Sequence, residues 1–316
     1  MATEAETQEK YRRNEELIKT PLHGIYIPML LIIFGIGIQN YRYIPHTVAI
    51  LLVYLAYNFI RAYRRKKSIS KDKFKEFELI DKTVVSKNSA IYRFKLFRES
   101  ENLDIPIGHH LCCSVEIDGK DEIAYYTPIS SQYDLGFFDI LVKSYPTGKV
   151  SKYFASLHKG QTVKFKGPVG RMSYQPNICK NLVMIAGGSG ITPMLQVLSY
   201  ITTTPEDLTT VKLLFANETR NDILLKDEID ELASKYPYFE VEYFLNEPSK
   251  NWKGKTGYIT KDDIKESLIG DDYLDTTKIF ICGPLEMRKN MLHYCEELGF
   301  PKGTLKSSQE DQVFCF

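Results

Sequence analysis

The pattern of charged and apolar positions sets the amino-terminal part apart from the rest. Two stretches contain no Asp, Glu, Lys or Arg: 22 residues between Lys19 and Arg42, and 18 residues between Arg42 and Arg61. As helices rising about 1.5 Å per residue they would reach roughly 33 and 27 Å, close to the ~30 Å hydrocarbon core of a bilayer. The pattern predicts a membrane anchor over residues 22–63, after a polar tail over residues 1–21.

The charges around these stretches indicate an orientation. A basic run closes the second stretch and opens a basic linker over residues 64–73, and such flanks are typical of the cytosolic side. Basic residues also precede the first stretch, so a helical hairpin with both ends in the cytosol fits. A single span, with the other stretch at the membrane interface, is the alternative. A pair of buried core helices also fits the apolar pattern, but this basic run disfavours it: Arg61, Arg64, Arg65, Lys66 and Lys67.

From residue 74 to residue 178 the pattern changes to short alternating runs. Phe74 to Leu79 and Ala90 to Leu96 alternate apolar and polar residues, as strands do. Turn residues such as Asp118-Gly119 separate the successive runs. Many short strands at this spacing predict an antiparallel β-barrel domain.

Residues 179–316 follow a third pattern, in which strands and helices alternate. Leu182 to Ala186 is a continuous apolar run, followed by a glycine-rich turn and a helical stretch from Pro193 to Tyr200. The same succession of strand, loop and helix recurs up to the carboxyl end. This alternation predicts an α/β domain with a doubly wound parallel sheet.

Composition narrows the classes of function. With 41 basic and 40 acidic residues the net charge is +1, which gives no basic surplus for a nucleic-acid partner. The six cysteines form no CxxC and no zinc-like spacing with histidine, so we expect no metal site. Their scatter suits reduced thiols and hence a catalytic part that faces the cytosol.

Two glycine-containing turns are candidates for binding a dinucleotide. Gly187, Gly188, Ser189 and Gly190 directly follow a strand and precede a helix, where close backbone approach and free N–H groups favour a pyrophosphate. A merely structural turn is the alternative for this segment. The segment Cys282-Gly283-Pro284 follows another strand, at the sheet edge where such folds bind ligands.

A third group of candidates lies in the barrel. Tyr126 and Thr127 are followed by Lys143 and Tyr145, and then by the segment Gly148-Lys149-Val150-Ser151. Together they could hold a planar ring and its phosphates. Each taken alone is more simply a strand tyrosine or a serine at the start of a helix.

Taken in order, the segments YTPIS, VKSY, GKVS, GGSGITPM and CGP resemble the ferredoxin reductase-like flavoenzymes. Within them the chain is most similar to the NADH–cytochrome b5 reductases, in their yeast-type membrane-bound form, over about residues 73–316. The resemblance implies an enzyme that takes hydride from NADH onto FAD and passes single electrons to cytochrome b5 or a similar small carrier. It also implies a second acceptor, a small metal-binding protein of the diphthamide pathway, and a location at the endoplasmic reticulum or the mitochondrial outer membrane.

The resemblance assigns roles to individual residues. Asp222 would face the adenosine ribose and favour NADH, because a carboxylate repels the 2′-phosphate of NADPH. Thr192, Cys282 and Lys143 would lie nearest the reacting rings. The FAD contacts would be Tyr126, Thr127, Lys143, Tyr145, Gly148, Lys149, Val150, Ser151 and Thr192. The NADH groove would be formed by Gly187, Gly188, Ser189, Gly190, Cys282, Gly283 and Pro284.

One position departs from the pattern of these enzymes. They have an arginine two residues before the tyrosine of YT, where it pairs with the FAD pyrophosphate, and here that position is Ala124. This departure supports a rival interpretation, a flavin-poor paralogue that acts as a membrane-tethered interaction protein. A flavin reductase of another branch, serving nitrate or ferric acceptors, is the second rival; Asp222 disfavours it.

Overall fold

The computed structural model describes residues 41–63 and 67–316, together with Leu31 and Gly35. The chain divides into two compact units, Met1–Lys67 and Ser68–Phe316. In the first unit, a 3-10 turn at Tyr41–Tyr43 leads into helix α1, Ile44–Tyr63.

Helix α1 covers most of the second uncharged stretch, whereas nearly all of the first stretch lies outside the described residues. Within the part of the chain that the structure describes, no helix is both long enough and apolar enough to cross a membrane. The anchor over residues 22–63 therefore stays a prediction, as does the number of passes.

The second unit begins with a six-stranded antiparallel sheet in the strand order β4-β3-β6-β1-β2-β5. Four phenylalanines from alternating strand positions are fully buried and pack mostly edge to face, which fills the interior: Phe77, Phe94, Phe138 and Phe165. An isolated bridge between Pro128 and Ile140 brings the chain after β4 against β5. The strands are β1 (Lys75–Ser86), β2 (Ser89–Lys95), β3 (His110–Ile117), β4 (Lys120–Tyr126), β5 (Phe137–Lys143) and β6 (Thr162–Val169).

Helix α2, Lys149–Ser156, follows β5 and packs on this sheet through two buried side chains, Val150 and Phe154. Helix α2 therefore packs near the end of β4, since Phe154 also contacts the ring of Tyr126.

A parallel six-stranded sheet follows, in the order β10-β9-β8-β7-β11-β12. Its strands are β7 (Asn181–Gly187), β8 (Thr210–Asn217), β9 (Phe239–Leu245), β10 (Lys255–Thr256), β11 (Thr277–Cys282) and β12 (Val313–Cys315). The helices are α3 (Ile191–Thr203), α4 (Lys226–Lys235), α5 (Lys261–Glu266), α6 (Tyr273–Thr276) and α7 (Leu285–Glu297).

Strand β7 lies at the centre of this sheet and every one of its residues is buried. Its alternate side chains enter two separate apolar clusters, Leu182 and Met184 on one face, Val183 and Ile185 on the other. Both faces are thus covered, which explains why β7 is a continuous apolar run. The predicted two-domain fold class is confirmed as an antiparallel sheet followed by a parallel sheet, whereas closure of the first sheet into a β-barrel stays a prediction.

Candidate cofactor and dinucleotide site

The two glycine-containing turns meet at the carboxyl edge of the parallel sheet. Strand β7 is paired with β8 on one side and β11 on the other, so the strand order reverses at β7. A crevice for a ligand forms at such a reversal. Gly187 ends β7 and Cys282 ends β11, and both turns therefore lie at this crevice.

The turn after β7 requires glycine at two positions for different reasons. Gly188 has a φ of 53°, a left-handed conformation that glycine adopts at little cost. Gly190 lies so close to β11 that an added Cβ would overlap the carbonyl oxygen of Cys282. A larger residue at Gly190 would push the start of α3 away from the neighbouring strand.

Helix α3 begins directly after this turn, and the N–H of its first residue, Ile191, bonds the carbonyl oxygens of Gly188 and Ser189. Among the described residues, no side chain caps the helix at Gly190. The hydroxyl of Thr192 is turned back, where it donates to the carbonyl oxygen of Ser189 at 3.3 Å. The helix dipole and the close backbone approach that the glycines allow favour a phosphate at this position.

The start of α2, like that of α3, lacks a side-chain cap within the described part of the chain. Its first flanking residue, Gly148, has no side-chain cap from any residue that the structure describes. Lys149 forms an ion pair with Glu122 of β4, so its ammonium lies between the helix and that strand. The Ser151 hydroxyl accepts a hydrogen bond from the backbone N–H of Tyr145 at 3.3 Å.

The aromatic candidate on β4 is firmly held. The ring of Tyr126 packs against Phe154 of α2 with their centroids 5.2 Å apart. Burial raises the pKa of Tyr126, so its phenol stays neutral at physiological pH. Ala124, on the same face of β4, is partly buried against the apolar interior.

Two contacts join the sheets at the crevice. The ammonium of Lys143, at the end of β5, lies 2.8 Å from a carboxylate oxygen of Asp222 in the loop after β8. The hydroxyl oxygens of Tyr145 and Ser189 are 3.1 Å apart. The barrel candidates and the dinucleotide candidates therefore form one continuous site.

Cys282 is a thiol in this site and is not poised as a nucleophile. Burial raises its pKa to about 12, well above that of a reactive cysteine.

Sequence reasoning missed one buried residue at the junction of the two sheets. The amide of Gln196, on the otherwise apolar helix α3, accepts from the N–H of Gly108 at 2.7 Å and donates to the carbonyl of His109 at 3.2 Å. A single amide among apolar helix positions is the signal that could have identified it.

A second missed feature is the turn around Asp222. Thr219 and Asp222 form a capping box, in which the side chain of each residue hydrogen-bonds the backbone of the other. The spacing Thr-x-x-Asp is a sequence signature of that arrangement.

The residues present fit two dinucleotides. Two helices begin at the same crevice without a side-chain cap from any described residue, and each is preceded by glycine, which allows close approach of a pyrophosphate. Aromatic and hydroxyl side chains lie beside the start of α2, as a flavin ring and its ribityl chain require.

Comparison with known proteins agrees with this site. Family models for an oxidoreductase FAD-binding domain and an oxidoreductase NAD-binding domain match residues 76–174 and 184–292. The plasma membrane-associated coenzyme Q6 reductase of Saccharomyces cerevisiae is 49% identical over 95% of this chain and 97% of its own length. NADH-cytochrome b5 reductase 1 of Ajellomyces capsulatus is 45% identical, covering 93% of this chain and 96% of its own.

A solved structure shows the same arrangement. The cytochrome b5 reductase domain of Ulva prolifera nitrate reductase superposes with a TM-score of 0.73 at 32% identity, over 79% of this chain and 100% of that domain. The fold and the site define a two-domain oxidoreductase that uses FAD and a nicotinamide dinucleotide. The chain belongs to the NADH–cytochrome b5 reductases, within the ferredoxin reductase-like flavoproteins.

Proposed function

We propose that this NADH-dependent flavoenzyme passes electrons one at a time to cytochrome b5 or a similar small carrier. When bound, FAD supplies the chemistry, because it can accept hydride from NADH and release single electrons. The observation that carries the proposal is the contact of 3.1 Å between the hydroxyls of Tyr145 and Ser189. It joins the loop before α2 to the turn before α3, so two phosphate-binding helix starts share one crevice.

On the barrel side the residues of β4, β5 and α2 would hold FAD. Tyr126 and Thr127 would contact its ring and ribityl chain, with Lys143 and Tyr145 nearby. The N–H groups from Gly148 to Ser151, the Ser151 hydroxyl and the Lys149 ammonium would bind its pyrophosphate, because each donates to an anion. Val150, a buried residue of α2, would keep those donors in place.

On the dinucleotide side the two turns would shape the NADH groove. The first turn, Gly187 to Gly190, offers N–H groups to the pyrophosphate, and Cys282, Gly283 and Pro284 would line the nicotinamide end. Thr192, Cys282 and Lys143 would orient the two rings and exclude water, which is how positioning contributes to rate. The chain needs no general acid or base for hydride transfer.

We propose that Asp222 sets the choice of nucleotide. Its negative charge, near the adenosine ribose, would disfavour the 2′-phosphate of NADPH. The support is that hydrogen bonds keep this carboxylate ionised: burial alone would raise the pKa of Asp222, but the bonds from Lys143 and Thr219 outweigh burial and lower it.

We further propose that residues 22–63 attach the enzyme to a membrane, with the catalytic unit in the cytosol. The uncharged stretch before Arg42, most of which lies outside the described residues, supports this, as does similarity to the plasma membrane-associated coenzyme Q6 reductase of Saccharomyces cerevisiae. The endoplasmic reticulum and the mitochondrial outer membrane are the proposed locations. Carbonate extraction tests the attachment, since an integral protein stays with the membrane pellet.

The acceptor is tested with purified full-length protein in detergent. NADH should bleach the flavin bands without oxygen, and cytochrome b5 should then be reduced in one-electron steps. The yeast relative's name makes a coenzyme Q analogue the second acceptor to assay, and a metal-binding protein of the diphthamide pathway is the third. Flavin bands that NADH fails to bleach would overturn the proposed function, and bleaching without cytochrome b5 reduction would overturn the acceptor.

A further inference from the structure

Lys143 and Asp222 are the charged pair that joins the two sheets at the crevice. Lys143 is the last residue of β5 in the antiparallel sheet, and Asp222 ends the 3-10 turn Arg220–Asp222 that follows β8. Their Nζ and Oδ1 atoms are 2.8 Å apart, although the residues are separated by 79 positions in the chain.

The orientation of Asp222 is set by its own turn and not by Lys143. The Oδ2 atom accepts hydrogen bonds from the Thr219 hydroxyl at 2.6 Å and from the Thr219 backbone N–H at 3.2 Å. With one oxygen held by the turn, the other points at Lys143. A carboxylate fixed in this way is pre-organised to receive an ammonium, so little rotamer freedom is lost when the pair forms.

The ammonium of Lys143 requires a nearby negative charge, because its side chain is mostly buried. Its side chain is only 10% exposed and that of Asp222 is 23% exposed. A buried ammonium that loses its counter-charge is costly and moves toward water or another anion. The position of the Lys143 ammonium therefore depends on Asp222.

We infer that Asp222 is a positioning residue for Lys143, and that its turn holds the Lys143 ammonium at the crevice where the nicotinamide dinucleotide enters. This inference rests on the proposed function, in which Lys143 lies beside the reacting rings. It gives Asp222 a second role, in addition to selecting NADH over NADPH at the adenosine ribose. Asp222, a residue of the dinucleotide domain, thereby fixes the position of Lys143, a residue of the flavin domain.

Asp222→Asn separates the two contacts of Asp222. Its amide oxygen can still accept from Thr219 and keep the turn, while its amide N–H groups would face the Lys143 ammonium, donor against donor. Thr219→Ala is the matched control, because it removes the hydroxyl that holds Oδ2 and leaves the carboxylate facing Lys143. A merely structural role for Asp222 predicts that this control reproduces the Asn variant.

The measurements are the dissociation constant of NAD+ by calorimetry on the FAD-loaded enzyme, and KM and kcat for NADH. Asp222→Asn should weaken NAD+ binding and raise KM about tenfold, equivalent to about 1.4 kcal/mol, and kcat should fall as well, because the displaced Lys143 no longer orients the two rings. Lys143→Met should give the same result, and the double variant should be no worse than Lys143→Met alone. Lys143→Arg, which keeps the charge, should retain most of the affinity.

Additive effects of the two substitutions on NAD+ affinity would overturn the inference, because Asp222 would then act without Lys143. An Asp222→Asn enzyme that binds NAD+ as the unmodified enzyme does would overturn it as well. The proposed function is tested separately, since its failure would leave the flavin of the unmodified enzyme unbleached by NADH.

Discussion

The ammonium group of Lys149 forms an ion pair with the carboxylate of Glu122, which joins the first residue of α2 to strand β4. Ala124 lies two residues further along β4, on the same face of the strand as Glu122. Lys149, a cation beside the strand that carries Ala124, is therefore already paired with a carboxylate. Arg171 is directed elsewhere, because its guanidinium donates to the carbonyl of Leu305 at 3.4 Å.

Ala124→Arg should tighten FAD binding. A charge-assisted hydrogen bond to phosphate contributes about 1.5–3 kcal/mol, so the dissociation constant should fall roughly ten- to hundredfold. Thermal stability at fixed FAD should rise as well, through ligand linkage. Titration of FAD into both apoproteins measures the effect, with Ala124→Met as the control that adds bulk without charge. Equal affinities for the unmodified and Arg forms would show that other donors already compensate.

Asp222→Ala should relax the preference for NADH, by improving the use of NADPH and, because Lys143 loses its partner, by weakening the use of NADH. The carboxylate charge that opposes the 2′-phosphate is lost, whereas NADH carries no phosphate there. The ratio of kcat/KM for the two nucleotides, measured with ferricyanide as acceptor, reports the change. An unmodified enzyme that uses both nucleotides equally would contradict the assignment.

The stabilising effect of Asp222 should be lost in acid. Because the pKa of Asp222 is lowered in the folded protein, its contribution is fully present above the unfolded pKa of about 3.9 and is lost as the pH falls through the folded value. The difference in melting temperature between the unmodified enzyme and Asp222→Asn should stay constant from pH 7 to pH 5. It should shrink below about pH 4. A difference that already disappears near pH 6 would mean that another group is responsible.

Gly190→Ala should destabilise the dinucleotide domain. The added Cβ would overlap a backbone oxygen, the carbonyl of Cys282, and no side-chain rotation can relieve that overlap. Overpacking of this kind costs about 1–3 kcal/mol, and NAD+ binding should weaken because α3 shifts. Urea unfolding and calorimetry measure the two effects. Ser189→Ala, one residue earlier, should change stability by under about 1 kcal/mol, and a similar loss in both variants would count against the steric explanation.

Removal of residues 1–67 should release a soluble, flavin-containing unit that still reduces ferricyanide.

Ser68 is fully buried, and its N–H and hydroxyl donate hydrogen bonds to the Glu101 carboxylate at 2.6 and 2.7 Å. A cut three residues later, after Ser70, would remove those donors from a carboxylate that is only 10% exposed. The longer deletion should therefore melt at a lower temperature, because a buried acceptor loses its partners. Equal melting temperatures would show that Arg98 alone satisfies Glu101.

The sequence by itself determined the order of the two sheets and the chemistry of the turns. Strands β1, β2 and β6 of the antiparallel sheet alternate in burial because one face is buried, and β7 is continuously apolar because both faces are covered. The local sequence pattern therefore indicates the environment of each of these strands. Glycines at 187, 188 and 190 indicated close backbone approach from their identity alone. These features are local, because each is determined by the identities of a few neighbouring residues.

Only the tertiary structure decided which candidates touch. Lys143 and Asp222 belong to different sheets, and no periodicity in the chain relates positions 79 residues apart. The overlap that excludes a side chain at Gly190 comes from Cys282 on a neighbouring strand, and the Gln196 amide bonds a loop of the other sheet. Such contacts depend on how complete elements pack, because the packing of whole surfaces, and not the propensity of any segment, brings distant polar groups within hydrogen-bond distance.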